Sequence, residues 1–104
     1  MRIIEKQMNQ AVIKETDWRK DNTKVVNVDG VSEVYLYDNL IALIGETWMQ
    51  IFDGGYQSAT TKSRLNSLLS EHGCGERIFS QNFEWFMIDS KGCKVKFQSG
   101  MMLD

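Results

Sequence analysis

The sequence of 104 residues has no proline, one histidine, two cysteines and no long apolar run. A membrane-spanning helix needs roughly 20 consecutive apolar residues. The amphipathic first ten residues, MRIIEKQMNQ, also lack the long apolar centre of a signal peptide. The sequence therefore predicts a cytoplasmic protein that has no membrane partner.

The cysteines follow no pattern typical of a metal site or a disulfide framework. Cys74 and Cys93 lie 19 positions apart, no CxxC pair is present, and His72 is the only histidine. Structural zinc sites usually draw four ligands from paired short spacings. We therefore expect no metal, no cofactor and two free thiols, because thiols stay reduced in proteins that lack a secretion signal.

The sequence also lacks a large excess of positive or negative charge. It contains 12 Lys and Arg and 14 Asp and Glu residues, so the net charge is -2. Proteins that bind duplex DNA usually carry a basic excess, because neutralising phosphates supplies most of their affinity. The balance therefore disfavours that class. The length predicts a single domain, residues 1–104, with one modest core.

Periodicity predicts the elements of the first half of the chain. Apolar residues at helical spacing predict an amphipathic helix over roughly residues 2–15, followed by a charged loop, RKDNTK. The period then changes to two, and KVVNV and VSEVYLY flank Asp29 and Gly30, the pair best suited to a type I′ turn. LIALI predicts a buried central strand, and TWMQIF is expected to return beside it.

A change from strand to helix is predicted within DGGYQSATTKSRLN, residues 53–66. Two glycines end the fourth strand, and Thr60 or Thr61 is expected to cap a helix over 61–72. Gly73 is expected to stop this helix in the left-handed conformation. The helix is predicted to bury its leucines and to expose its serines, with Arg64 and Asn66 on the flanks of the exposed side.

Three strand-like segments complete the chain: ERIFS, FEWFMID and CKVKFQS. The predicted order is helix, four strands, helix and three strands. This order predicts an α+β fold with an N-terminal helix and an antiparallel β-meander that forms a small bent sheet or a partly open barrel. The additional helix lies near residues 61–72.

The residues before and within the second helix allow two interpretations. A helix N-terminus that follows glycines can bind an anion, which makes Tyr56, Lys62, Arg64 and Asn66 candidate partner-binding residues. The stretch lacks the G-x-x-x-x-G-K-[ST] pattern of a nucleotide-binding loop, however. Capping of the helix is the alternative, and it explains the threonines by itself.

The sequence contains no recognisable catalytic pattern. His72 lies at the predicted end of a helix, and the sequence nominates neither a nucleophile nor an orienting carboxylate to work with it. We therefore predict that the protein is not an enzyme. Hydrolase chemistry around His72 and Cys74 is the least favoured alternative.

Aromatic residues near cations suggest a different class of ligand. Tyr35 and Tyr37 share one face of a predicted strand, and Trp85 shares a face with Phe83 in another. Small β-barrels bind single-stranded nucleic acid by stacking bases on exposed rings beside cations. The alternative is that these rings belong to the core. A basic edge is available near the C-terminus: Lys91, Lys94 and Lys96.

Four segments resemble a recurrent pattern in small uncharacterised proteins of bacteriophages and marine viruses: EKQM, VYLYDNLIALI, GGYQSATTKSRLNSLLSEHG and QNFEWF. The resemblance covers nearly the whole chain. It implies a viral protein that acts in the cytoplasm of an infected host cell. It implies no activity and no catalytic residues.

The predicted order of elements is also similar to the Sm and LSm fold, whose members form rings and bind single-stranded RNA. The segment YDNL resembles the Asp and Asn of the first Sm motif. This resemblance implies a homo-oligomer with a nucleic-acid site at Tyr37, Asp38 and Asn39. The chain departs from the family because no Arg-Gly pair occurs in its last two strands and because the helix over 61–72 interrupts the meander.

These observations favour a non-enzymatic binding or assembly module. The first hypothesis is an Sm-like domain that binds single-stranded RNA at its YDNL turn. The alternative is a phage-type accessory protein that binds and modulates a host protein through the surface of the helix over 61–72.

Overall fold

Two helices pack with nine strands in the computed structural model, which describes residues 2–103. The helices are α1 (Ile3–Lys14) and α2 (Ala59–His72). The strands are β1 (Trp18–Lys20), β2 (Thr23–Val28), β3 (Val31–Leu36), β4 (Asn39–Ile44), β5 (Met49–Ile51), β6 (Arg77–Gln81), β7 (Glu84–Ile88), β8 (Lys94–Lys96) and β9 (Met101–Leu103). In this part of the chain, neither helix combines the length and the apolar content that a membrane span requires.

The larger sheet is an antiparallel meander with the strand order β1-β2-β3-β4-β5-β9. Asp29 and Gly30 connect β2 to β3 as predicted, because Val28 faces Val31 and both turn residues have positive φ, 49° and 80°. The buried strand β4 lies inside the sheet and β5 returns beside it, so these two predictions are also confirmed.

The larger sheet extends further at both edges than the sequence predicts. The expected loop RKDNTK is wrong, because Trp18–Lys20 pairs with β2 across a turn in which Asp21 adopts a φ of 53°. At the opposite edge, Met101–Leu103 pairs with β5. Each of these edge strands has only three residues, which is too short for a period of two to be recognised.

The three C-terminal segments are strands, as predicted. They do not extend the meander, however, and instead form a second antiparallel sheet, β6-β7-β8. Its inner face contributes Ile78, Trp85 and Met87 to the core. Together with the two helices, the two sheets confirm the α+β prediction. Over residues 2–103 the larger sheet stays open and does not close into a barrel.

One apolar cluster joins both helices and both sheets. Met8 of α1, Leu65 of α2, Val34 of the larger sheet and Met87 of the smaller sheet all belong to it, and each is at most 2% exposed. Burial of apolar area at about 25 cal/mol per Å² is the main force that holds these layers together. The remaining surface carries the candidate sites.

Helix α2 starts and ends differently from the prediction. Its N-cap is Ser58, whose hydroxyl accepts the Thr61 N–H at 3.1 Å, so neither Thr60 nor Thr61 is the cap. The helix ends at Gly73 as expected, but this residue is extended, with φ of -91°. Glycine is required here for steric reasons, because a Cβ would lie 2.7 Å from the Leu69 carbonyl oxygen.

Candidate binding surface

The turn between β3 and β4 holds Tyr37 in a conformation that bulky residues rarely adopt. Leu36 and Asn39 close the hairpin, and Tyr37 and Asp38 fill its loop at φ values of 52° and 63°. Left-handed backbone costs an L-residue about 1 kcal/mol or more, and Gly, Asn or Asp is usual there. The ring is 69% exposed, so its own burial does little to offset this strain. Strained exposed residues are typical of functional sites.

The segment between β5 and α2 presents a second exposed tyrosine. Asp53 Oδ1 accepts the Gly55 N–H at 2.8 Å, which forms a tight turn. Gly54 has a φ of 69° and approaches β4 so closely that a Cβ would lie 3.3 Å from two of its side chains. Tyr56 follows this turn and is 76% exposed.

Tyr37 and Tyr56 line one groove of about 300 Å³, which we call the tyrosine groove. Ile41 of β4 lies beneath it but is only 1% exposed, so the tyrosine rings supply its apolar surface. Asn39 and the first turn of α2 supply amide and hydroxyl groups. Among the described residues that line the groove, Asp53 carries the only formal charge. The fold therefore joins residues from both predicted sites into one surface.

Asp38 belongs to a neighbouring groove of about 360 Å³, which shares Tyr37 with the tyrosine groove. Its carboxylate lies 3.6 Å from Lys24 Nζ and 3.9 Å from Arg19 Nη2. Lys24 Nζ also lies 4.7 Å from the centroid of the Tyr35 ring. The Tyr35 hydroxyl donates to Glu33 Oε1 at 3.0 Å, and this bond to a carboxylate is the main reason why the pKa of Tyr35 is raised.

Arg64 does not lie on the exposed flank of α2, so that expectation is wrong. The residue is 3% exposed, and its Nη1 donates to Glu5 Oε2 of α1 at 2.9 Å. Its Nε donates to Thr23 Oγ1 at 3.0 Å and its Nη2 to Asn22 Oδ1 at 3.3 Å. The side of α2 beside its leucines packs on α1 and the sheet, and the buried Glu5 carboxylate needs a charged partner there.

Asn66 and Lys62 also bind other parts of the chain. The Asn66 amide donates to the Ile78 carbonyl at 2.9 Å and accepts the Ile78 N–H at 2.7 Å, so it pairs with β6 much as another strand would. Lys62 Nζ donates to Ser80 Oγ at 2.9 Å and is half-buried. Of the four predicted partner-binding residues, only Tyr56 is fully available at the surface.

The sequence model of the family described as Kyanoviridae Gp96 protein matches residues 1–104. The chain belongs to this family. The resemblance to phage proteins is therefore confirmed. Neither a curated protein nor a solved structure matches the chain, so the similarity to the Sm fold remains unconfirmed.

In this member of the Kyanoviridae Gp96 family, a third aromatic ring is exposed at a tight turn. Asn82 and Phe83 connect β6 to β7 at φ values of 53° and 64°, and Phe83 is 104% exposed. Its predicted place beside Trp85 is wrong, because Phe83 lies in the turn and Trp85 is buried with its ring edge against Phe97. Phe83 lines a depression of about 550 Å³ that also contacts Gln57, next to Tyr56.

The sequence offered one signal for Phe83 and none for Asp53. A two-residue segment between alternating strands predicts a hairpin turn, and QNFE fits that pattern when the turn is placed at Asn82 and Phe83. Asp53 reads as an ordinary turn residue. Only the tertiary structure brings it into one groove with two tyrosines.

His72 lies close to a side chain of α1, and neither cysteine is in a disulfide. His72 Nε2 lies 3.1 Å from Asn9 Oδ1, and burial lowers the pKa of His72 while Glu71 opposes the shift. Cys74 and Cys93 are free and exposed. Residues 2–103 contain no group of three His, Cys, Asp or Glu side chains placed to hold a metal ion.

Proposed function

We propose that this phage protein is a non-enzymatic binding module whose tyrosine groove takes a segment of a host protein. The observation that carries the proposal is the convergence of Tyr37 and Tyr56 on one groove, although they are 19 residues apart in sequence. Aromatic residues are enriched at protein interfaces, and tyrosine is among the residues that contribute most binding energy.

The charge of the tyrosine groove specifies the chemistry of the partner. Asp53 is its one charged side chain among the described lining residues, and the exposed tyrosine rings provide apolar contacts. A phosphate would meet a carboxylate there without a compensating cation. We therefore expect a protein segment that inserts an apolar side chain between the rings and places a Lys or Arg near Asp53.

Single-stranded RNA is the second candidate, and the neighbouring groove supports it. Arg19 and Lys24 lie there beside Tyr37, as cations lie beside stacking rings in single-strand binders. Asp21 and Asp38 line the same groove, however, and Asp38 is within 4 Å of both cations. These carboxylates reduce the attraction of the groove for phosphates, which makes RNA the weaker ligand at the YDNL turn.

The proposal is tested by capture of host proteins with two double variants. Tyr37→Ala with Tyr56→Ala removes both rings of the tyrosine groove. Ile3→Ala with Ile13→Ala is the matched control, because these α1 side chains are also large and exposed, 69% and 61%. We expect the tyrosine pair to abolish recovery of a stoichiometric host protein and the isoleucine pair to retain it.

Equal recovery of the same host protein by the wild-type chain and by both double variants would contradict the proposal. The captured complex should also be insensitive to moderate salt, since an interface with an apolar centre depends little on screened charge. The homo-oligomer expected from the sequence stays a prediction, and light scattering on the purified protein tests it.

A further inference from the structure

The outer face of the small sheet carries two phenylalanine rings with cations beside them. The inner face is fixed by the buried residues Ile78, Trp85 and Met87. Because side chains alternate along a strand, the opposite face is formed by the residues between them. The strand register places these residues in rows: Arg77, Ile88 and Lys94 in one, Phe79, Phe86 and Lys96 in the next, and Gln81 and Glu84 in the third.

Phe79 and Phe86 form a continuous aromatic patch in the middle of this face. Their ring centroids lie 5.9 Å apart and the rings are inclined by only 28°. Both rings are half-buried rather than enclosed by the core. Lys94 Nζ lies 4.4 Å from the centroid of Phe86 and 5.9 Å from that of Phe79.

The charge of the face is opposite to that of the whole protein. Arg77, Lys94 and Lys96 are exposed cations, and Glu84 is the one carboxylate in the three rows. The chain as a whole carries a net charge of -2. The face therefore carries an excess of cations beside its rings. Gln81 Oε1 accepts a hydrogen bond from Lys94 Nζ at 2.6 Å, which orients this lysine.

We propose that this face, which we call the phenylalanine face, binds single-stranded nucleic acid. Bases stack on the rings of Phe79 and Phe86, and every base offers a π-face for such stacking regardless of sequence. Arg77, Lys94 and Lys96 contact the phosphates that flank the stacked bases. A duplex hides its base faces, so it cannot make the stacking contacts.

The sequence expectation of single-strand binding is thereby moved to a different surface. The tyrosine groove has no cation among its described lining residues, whereas the phenylalanine face has both parts of a single-strand site, rings and cations. Lys94 and Lys96 of the predicted basic edge are one half of it, whereas Lys91 lies outside the three rows, between β7 and β8. The other half is the pair of rings, Phe79 of β6 and Phe86 of β7, which the predicted basic edge does not include.

The test is fluorescence anisotropy with labelled single-stranded RNA and DNA of about 12 nucleotides, a length within the range that small single-strand sites cover. We expect saturable binding whose affinity falls with salt. Each neutralised phosphate contributes a slope of about -0.7 in log K against log salt, so three cations predict a slope of about -2. The RNA and DNA arms show which sugar is preferred, and a duplex of the same length should bind more weakly.

Two sets of substitutions separate stacking from charge. Arg77→Gln, Lys94→Gln and Lys96→Gln together should weaken binding at least 10-fold and flatten the salt dependence. Phe79→Leu with Phe86→Leu should weaken binding by about 10-fold while the salt slope is retained, because the lost contacts are uncharged. Urea unfolding of both variants confirms that they remain folded.

The matched control removes the same number of charges from other faces. Lys6, Lys14 and Lys20 are exposed on α1 and β1, and Lys6→Gln, Lys14→Gln and Lys20→Gln together should leave the affinity within about twofold. No binding at low salt would overturn the proposal. An equal loss of affinity in the two triple glutamine variants would also overturn it, as would tighter binding of an acidic peptide than of the oligonucleotide.

This inference stands apart from the proposed host-protein site. The Tyr37→Ala, Tyr56→Ala double variant should bind the oligonucleotide like the wild-type protein. If it loses nucleic acid and the phenylalanine variant does not, single strands bind at the YDNL turn and the phenylalanine face is the wrong site.

Discussion

At the scale of single residues, two aromatic side chains occupy turn positions that favour glycine. Tyr37 and Phe83 both have positive φ in two-residue turns, and both are exposed. Neither ring is buried deeply enough to offset left-handed backbone. The sequence still encodes them there, and for Tyr37 this supports the proposed binding role.

Phe83→Gly should stabilise the protein by about 1 kcal/mol, because glycine adopts the left-handed conformation without strain and the exposed ring contributes little burial. The reciprocal variant, Gly30→Ala, should destabilise by a similar amount. A Cβ on Gly30 meets nothing within 4 Å, so only the backbone conformation changes its stability. Urea unfolding measures both effects, and a loss of stability in Phe83→Gly would mean that the ring makes unrecognised contacts.

The Glu5–Arg64 ion pair is a structural feature rather than a binding site. Arg64→Ala leaves a buried carboxylate without its cation, so it should reduce the free energy of unfolding by about 3 kcal/mol or more. Arg77→Ala, on the exposed face of β6, should change it by less than about 0.5 kcal/mol. Equal effects of the two substitutions in urea unfolding would show that the buried pair is not stabilising the packing of α1 on α2.

The stability of the fold should decrease on mild acidification because of His72. Burial lowers its pKa in the folded state below the ordinary value of 6.5, so the folded protein favours the neutral imidazole. The unfolded state binds the proton more readily, and the free energy of unfolding therefore falls as the pH drops through about 6.5 toward the lowered pKa. His72→Gln should flatten this dependence in urea unfolding between about pH 5.5 and 7.5. An unchanged profile would assign the acid sensitivity to other groups.

At the scale of elements, the long periodic segments were predictable and the short ones were not. The α1 helix, the Asp29-Gly30 hairpin and β4 follow directly from periodicity and turn chemistry. The edge strands β1 and β9 depend on partners that the local sequence does not reveal. The leucine face of α2 was predicted correctly, since Leu65, Leu68 and Leu69 are fully buried. The burial of Arg64 was missed for a related reason, because this cation packs inside only where Glu5 is available.

The start of α2 provides a direct test at this scale. Ser58→Ala should destabilise the protein by about 1 kcal/mol, because the Thr61 N–H loses its side-chain acceptor. Thr60→Ala, which changes one of the two caps expected from the sequence, should have little effect. Hydrogen exchange of the amides in the first turn should accelerate only in the Ser58 variant. A larger loss of stability in Thr60→Ala than in Ser58→Ala would show that Thr60 is the N-cap.

At the scale of the whole molecule, the surface has two candidate binding regions of different chemistry. The tyrosine groove has an acidic charge and apolar rings, and the phenylalanine face has cations around its rings. The sequence predicted the fold class, the phage resemblance and several of these residues. It placed Tyr37 and Tyr56 in separate sites, because their proximity depends on how the β5–α2 segment crosses beside β4.

Photo-crosslinking in host lysate tests the central claim, host-protein binding at the tyrosine groove, most directly. A photoreactive benzoylphenylalanine replaces Tyr56 in one preparation and Ile13 in another, since Ile13 lines a different groove with Gly30 at the opposite end of β3. We predict one discrete crosslinked host protein from position 56, removed by Tyr37→Ala, and none from position 13. The same crosslinked protein from both positions, or no crosslink at position 56, would contradict the account.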